Sequence, residues 1–225
     1  MRATQILYVI DSLPRGGGTE SQLAGLIERL DRRRFRPHLC TLRPAADPLR
    51  PADCPHLAFA APRLGHPRGV AAWLRLAGYL RQQRIDVVQA YFQDATLLGA
   101  TAARAAGVPV RLGALRDLGF WRTPRQEAAL RRVHPLLTGF IANSEAVRAH
   151  FCRRDGLDPA RVAVIPNGLD AAALPFRDHD EAPVQVGIVG NLNREVKRTD
   201  LFLEAAGRLA PGHPGVVWHV VGDGA

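Results

Sequence analysis

The chain has 225 residues, 47% apolar and 23% charged, which are globular proportions and argue against disorder. Its net charge of +9 is uneven: residues 1–170 carry 25 arginines against 14 acidic residues, while residues 171–225 carry five basic against seven acidic. Three cysteines (Cys40, Cys54, Cys152) without a C-x-x-C pair argue against a zinc site or a disulfide framework, and no run is apolar and long enough to span a bilayer.

Ile6-Leu7-Tyr8-Val9-Ile10 is a short β-branched run of the kind found in buried parallel strands. Asp11 ends it too soon for the core of a signal peptide, so a cytoplasmic location is expected. Pro14 to Gly18 reads as a loop. Thr19 followed by Gln22 fits a capping box that opens a helix with Leu23, Leu26, Ile27 and Leu30 on its apolar face. Residues 37–42 predict a strand, 69–83 a helix, 85–90 a strand and 94–106 an alanine-rich helix stopped by Gly107. The alternation continues with a strand at 108–115, a helix at 124–137, a strand at 139–143, a helix at 144–153 and a strand at 162–166. Residues 170–183 read as a linker. A second unit then offers a strand from Val184, a helix at 199–209 and a strand at 216–221. The pattern predicts an α/β fold: a doubly wound, Rossmann-like parallel sheet with ligands at the carboxyl ends of its strands.

Several loops at those ends carry chemistry. Gly16, Gly17 and Gly18 suit either a tight turn or close approach of backbone N–H groups to an anion. They do not form G-x-G-x-x-G and no acidic residue closes the second strand, which excludes a nicotinamide-dinucleotide fingerprint. Arg116 follows a strand end, where ligand contact competes with a surface ion pair. Asn143-Ser144 reads most simply as a helix cap, and Asn167-Gly168 as a turn. Lys197, the only lysine among 30 basic residues, follows the apolar run 184–189 and the turn Gly190-Asn191. A cation between strand and helix suits a diphosphate. Asp178-His179-Asp180 has a metal-binding spacing but no strand to aim it, so no metal is expected. Neither a helix-turn-helix nor an aromatic-and-basic RNA motif is present, so no nucleic acid is expected.

Taken in order, Ile6–Ile10 with the glycine loop, Asp86-Val87-Val88, Ile141-Ala142-Asn143-Ser144, Val164 to Asp170, and Val189-Gly190-Asn191-Leu192 through Lys197 resemble glycosyltransferase family 4, retaining enzymes of the two-Rossmann GT-B architecture. Val220 to Gly224 fits the family's next strand. The resemblance implies an acceptor-side domain at 1–169, a linker at 170–183 and the start of a nucleotide-sugar-binding domain at 184–225. It implies sugar transfer from a nucleotide diphosphate donor, as co-substrate rather than cofactor, to a glycan, lipid-linked or small-molecule acceptor with retention. Lys197 would contact the donor diphosphate, Gly16–Gly18 would close near it, and Arg116, Asn143, Asn167 and Asn191 would join substrate binding; catalytic residues are not assigned.

Some positions depart from the family pattern. Asn191 replaces the arginine that usually follows the glycine, with Arg194 or Arg198 as replacement cations. Gln89-Ala90-Tyr91 stands where many members carry histidine, and Arg116 stands where others place a histidine near the donor sugar. The family's paired glutamates would lie beyond Ala225, so the chain is expected to be truncated within its donor domain and inactive alone. The alternative is a non-catalytic module that binds acceptor or an anionic membrane through its basic first domain.

Overall fold

The computed structural model describes residues 2–60, 65–120, 122–169, 183–192 and 195–224. Residues 170–182 of the expected linker, the triplet Asp178–Asp180 and Arg194 lie outside that description. The chain divides into two compact units, Met1–Gly168 and Leu169–Ala225.

Among the described residues, the first unit holds seven strands and five α-helices. In chain order they are β1 (Thr4–Ile10), α1 (Gly18–Arg29), β2 (Phe35–Thr41), β3 (His56–Ala58), α2 (Pro67–Gln82), β4 (Val87–Tyr91), α3 (Gln93–Ala106), β5 (Val110–Leu115), α4 (Pro124–Val133), β6 (Gly139–Ala142), α5 (Glu145–Asp155) and β7 (Val162–Val164). The strands form one sheet in the order β3-β2-β1-β4-β5-β6-β7, and every pair is parallel. The chain winds outward from β1 in one direction and from β4 in the other, which is the doubly wound Rossmann-like topology that strand–helix alternation predicts.

β1 shows why this sequence makes a two-faced sheet. Successive side chains point to opposite faces. Leu7 and Val9 enter a core with Leu76 and Leu80 of α2 and Leu98 of α3. Ile6, Tyr8 and Ile10 enter a second core with Leu23 and Ile27 of α1. A strand apolar at consecutive positions can be buried only if both faces are covered, each buried aliphatic side chain contributing roughly 1.5–3 kcal/mol. A third cluster seats the fully buried Phe151 of α5 with Phe140 and Val162.

The second unit pairs β8 (Gln185–Val189) with β9 (Val217–Val221) in parallel, joined through α6 (Thr199–Leu209). Gly190 N–H donates to the Val221 carbonyl at 2.9 Å, and a Cβ on Gly222 would collide with the Gly190 carbonyl, so the loops after the two strands touch through bare backbone.

Three local expectations need correction, and one strand was not expected. No side chain caps α1, which starts at Gly18 with Gly17 as N-cap, so the Thr19–Gln22 capping box does not form. A capping box does form at α4, where Thr123 accepts from Gln126 N–H and Gln126 reaches back to Thr123 N–H. The helix expected over 124–137 ends at Val133, and Pro135 lies in the 3-10 turn His134–Leu136 that follows. β7 stops at Val164, and β3 is an edge strand that the sequence pattern does not disclose.

Candidate functional site

In the first unit the carboxyl ends of β5, β6 and β7 lie side by side, so the residues that follow them meet. Arg116 follows β5, Asn143 follows β6 and Asn167 lies three residues beyond β7. Asn143 Nδ2 donates to the Arg116 carbonyl at 2.9 Å, and the Arg116 guanidinium donates to Asn167 Oδ1 at 2.5 Å. Ser144 caps α5 by accepting from Val147 N–H, so the cap expected in this dipeptide is real and leaves Asn143 to its neighbouring loop. Three of the predicted residues thus form one hydrogen-bonded chain across three strands.

Arg116 is partly buried with no carboxylate within ion-pair distance among the described residues. Burial pushes its pKa down from the ordinary guanidinium value, with Tyr91 and Asp117 acting in the opposite direction. Its Nε is buried without a hydrogen-bond partner, as are Asn143 Oδ1 and Gln93 Oε1. Phe92, Gln93, Ala114, Arg116, Asp117 and Arg122 line a small polar recess here. Unpaired buried polar atoms cost free energy, so a donor and an acceptor bordering one recess suit a polyhydroxylated or anionic ligand.

The strand-to-helix turn behind the recess is strained. Phe92 has φ 64° and ψ −178°, a backbone region that glycine adopts and a bulky L-residue does not. Asp11, the first residue after β1, accepts a hydrogen bond from Ala95 N–H at 2.7 Å and so caps α3 from another strand. Arg43, after β2, bridges Asp11 at 3.5 Å and Asp94 in the first turn of α3. Burial raises the Asp11 carboxyl to about 6 despite the opposing N–H and guanidinium. Within the strand, Gln89 Nε2 donates to the Tyr91 hydroxyl at 3.0 Å, and burial pushes that phenol up to about 12.

The glycine loop is tied down rather than open. Pro14 pairs with Pro48, Arg15 N–H donates to the Asp47 carbonyl at 2.9 Å, and Gly16 takes φ +90°. The Glu20 carboxylate folds back over Gly17, where a Cβ would meet it. An anion approaching the start of α1 therefore competes with the chain's own carboxylate. The tight-turn reading describes Gly16.

In the second unit, Lys197 ends a short 3-10 turn (Glu195–Lys197) just before α6. Its alkyl stem lies against Gly190, at 3.5 Å from the position of an added Cβ, so the missing side chain is what lets the lysine cover the end of β8. No carboxylate among the described residues pairs with Lys197, whereas Arg198 is held by Asp200 at 2.8 Å. Asn191 follows Gly190 and makes an interaction of its own.

The sequence reading missed Asp11, Arg43, Phe92 and Gln93 as site residues. Asp11 had a local signal, a carboxylate ending an apolar strand at the sheet edge where ligands bind. Arg43 shows nothing in sequence, because its partners Asp11 and Asp94 lie far from it along the chain.

Comparison with known proteins agrees with this geometry. The sequence profile of Glycosyltransferase Family 4 matches residues 16–173. Anabaena HepE in complex with UDP superposes with a TM-score of 0.77 at 21% identity, over 99% of this chain and 62% of that one. The lipopolysaccharide outer core galactosyltransferase WaaB superposes with a TM-score of 0.68 at 14% identity, over 97% of this chain and 68% of that one. A UDP-N-acetylglucosamine 2-epimerase reaches 0.61 at 11% identity, over 96% of this chain and 63% of that one. No curated protein matches the sequence. The chain spans less than two thirds of the length of HepE. At these identities the likenesses show the fold, the Rossmann-like architecture of GT-B glycosyltransferases, and that fold alone does not separate transfer from epimerisation. The profile match covers well over half of the sequence, and the chain belongs to glycosyltransferase family 4.

Proposed function

We propose that the chain serves transfer of a sugar from a nucleotide diphosphate donor, with retention, to a glycan, lipid-linked or small-molecule acceptor. In this reading residues 1–169 form the acceptor side and residues 184–225 begin the nucleotide-sugar domain. The observation that carries it is Lys197: a cation without a carboxylate partner among the described residues, its stem fixed on Gly190 at the end of a parallel strand. Such an ammonium is placed to hold a diphosphate and to stabilise the charge that grows on it as the glycosyl bond breaks. UDP in HepE, and UDP with glucose in the same protein, support the donor class. Arg116, Asn143 and Asn167 supply the donors and acceptors that would orient sugar hydroxyls on the first unit.

The test is calorimetric titration with a nucleoside, its diphosphate and its diphosphate sugar, for each common base. One base is expected to bind as the diphosphate and not as the nucleoside. Lys197→Ala should weaken that binding about 10- to 100-fold, the range of one charge-assisted hydrogen bond. Equal binding of nucleoside and diphosphate, or a diphosphate affinity that ignores Lys197→Ala, would overturn the reading.

A second reading, contact with an anionic membrane, has its own observation. Val70 and Leu74 are exposed on α2, and no acidic residue occurs between Asp53 and Asp86 while five arginines do. No helix among the described residues is long and apolar enough to cross a bilayer, so the contact would be peripheral. Sedimentation with vesicles of anionic lipid should then fall steeply with added salt. Absent or salt-independent binding removes this reading.

A further inference from the structure

The last ladder hydrogen bond of β7 runs from Ile165 N–H to the Ala142 carbonyl at 2.9 Å. Beyond it the backbone has no strand neighbour among the described residues, yet Asn167 and Gly168 are held by two side chains. Arg116 holds Asn167. Gln22 of α1 holds Gly168 twice: its Nε2 donates to the Gly168 carbonyl at 2.6 Å, and its Oε1 accepts from Gly168 N–H at 3.0 Å. The two bonds use both halves of the amide in opposite directions, as a neighbouring strand would. Gln22 is 146 residues away in sequence, so no local turn explains the contact.

We infer that Gln22 is a positioning residue, which replaces the missing strand neighbour and fixes the Asn167-Gly168 segment against the helix that starts at the glycine loop. Gln22 lies one helical turn after Gly18, so both stand on the same face of α1. The clamp therefore joins three features: the glycine loop, the segment that ends the first unit and, through Asn167, the Arg116 guanidinium. Both bonds are solvent-exposed. Exposed hydrogen bonds contribute little to overall stability because water competes for both partners. What they supply is geometry: displacement by about 1 Å at a substrate-positioning group can cost on the order of 100-fold in rate. The catalytic consequence rests on the sugar-transfer reading; the clamp itself does not.

The test compares Gln22→Met and Gln22→Glu with the native full chain. Gln22→Met keeps the length and removes both bonds. Amide hydrogen exchange at Gly168 should rise on the order of 10-fold, with the Arg116 Nε and Asn167 side-chain NMR signals moving together and the melting temperature nearly unchanged. Gln22→Glu keeps the acceptor but sets a carboxylate against the Gly168 carbonyl at neutral pH. Protonated, the same side chain donates and accepts as the amide does, so the ratio of Gly168 exchange in Gln22→Glu to that in the native protein at the same pH should fall toward one on acidification toward pH 4.5. A merely space-filling residue gives no such recovery. Where the native protein transfers sugar, Gln22→Met should lower kcat at least several-fold, with donor KM little changed.

Unchanged exchange at Gly168 in Gln22→Met, absence of acid recovery in Gln22→Glu, or unchanged kcat despite faster exchange overturns the inference. If the native protein binds no nucleoside diphosphate in a Lys197-dependent way, the sugar-transfer reading fails alone. Exchange at Gly168 and the Arg116 and Asn167 signals then decide for or against Gln22.

Discussion

Asp11 offers a test that separates burial from ion pairing at the candidate site. Its carboxylate caps α3 through Ala95 N–H and meets Arg43, yet burial raises its pKa from 3.8 to about 6. The folded state therefore binds the proton more tightly than the unfolded chain does. The stability that Asp11 contributes is full below pH 3.8 and is lost as pH rises through about 6. One pKa unit is worth about 1.4 kcal/mol, so the whole span comes to about 3 kcal/mol, of which about 1.5 kcal/mol falls between pH 5.0 and 7.5. Asp11→Asn keeps an oxygen for Ala95 N–H and removes the titration, while Arg43 retains Asp94. Urea unfolding of both proteins at the two pH values isolates the effect, since every other titrating group cancels in the difference. Relative to Asp11→Asn, the native protein should gain about 1.5 kcal/mol on going from pH 7.5 to 5.0. A pH-independent difference, or a native protein that loses ground on acidification, would refute the reasoning, because Arg43 would then hold Asp11 ionised more strongly than burial opposes it.

Two neighbouring glycines should respond differently to the same methyl. Gly16→Ala forces φ +90° on an L-residue and should cost about 1–2 kcal/mol in thermal unfolding; Gly17→Ala meets only the movable Glu20 carboxylate and should cost little. Equal losses would show that the loop is not held in its observed conformation. In β5, a Cβ at Gly113 would lie 2.9 Å from the Phe140 ring and 3.0 Å from Leu137, so Gly113→Val should overpack the core by about 1–3 kcal/mol. Scanning calorimetry should show a melting temperature lower by roughly 2–12 °C; an unchanged value would mean that the Phe140 ring yields freely.

What was legible in the sequence follows from how far each signal reaches. β1 and β4 announced themselves because parallel strands covered on both faces need consecutive apolar residues, as Leu7, Tyr8 and Val9 show. β3 is only His56-Leu57-Ala58, set among prolines and paired on one side to β2, so no period can develop. Thr19 and Gln22 satisfy a local capping pattern, but Gln22 finds a better partner in Gly168 across the fold. Arg116, Asn143 and Asn167 were each readable as a residue after a strand. Their convergence depends on β5, β6 and β7 being neighbours, a fact of topology and not of spacing.

The two ends of the sheet point to the same division of labour. At the amino end, Asp86 is fully engaged: it accepts from Gln5 N–H at 2.9 Å and from Arg2, tying β1 to β4. The Asp-Val-Val motif therefore has a structural explanation at its first residue, on the side away from the recess. At the carboxyl end the pattern reverses, with Phe92 in a glycine-like conformation and Gln93, Arg116 and Asn143 each holding an unpaired buried atom. Strain and unmet hydrogen-bonding capacity are costs that a fold keeps where surrounding structure over-determines them, and they concentrate at sites that act on ligands. Phe92, Gln93, Arg116 and Asn143 gather at the carboxyl ends of β4, β5 and β6, the edge where doubly wound sheets bind ligands, so this edge holds polar groups in place before any ligand arrives.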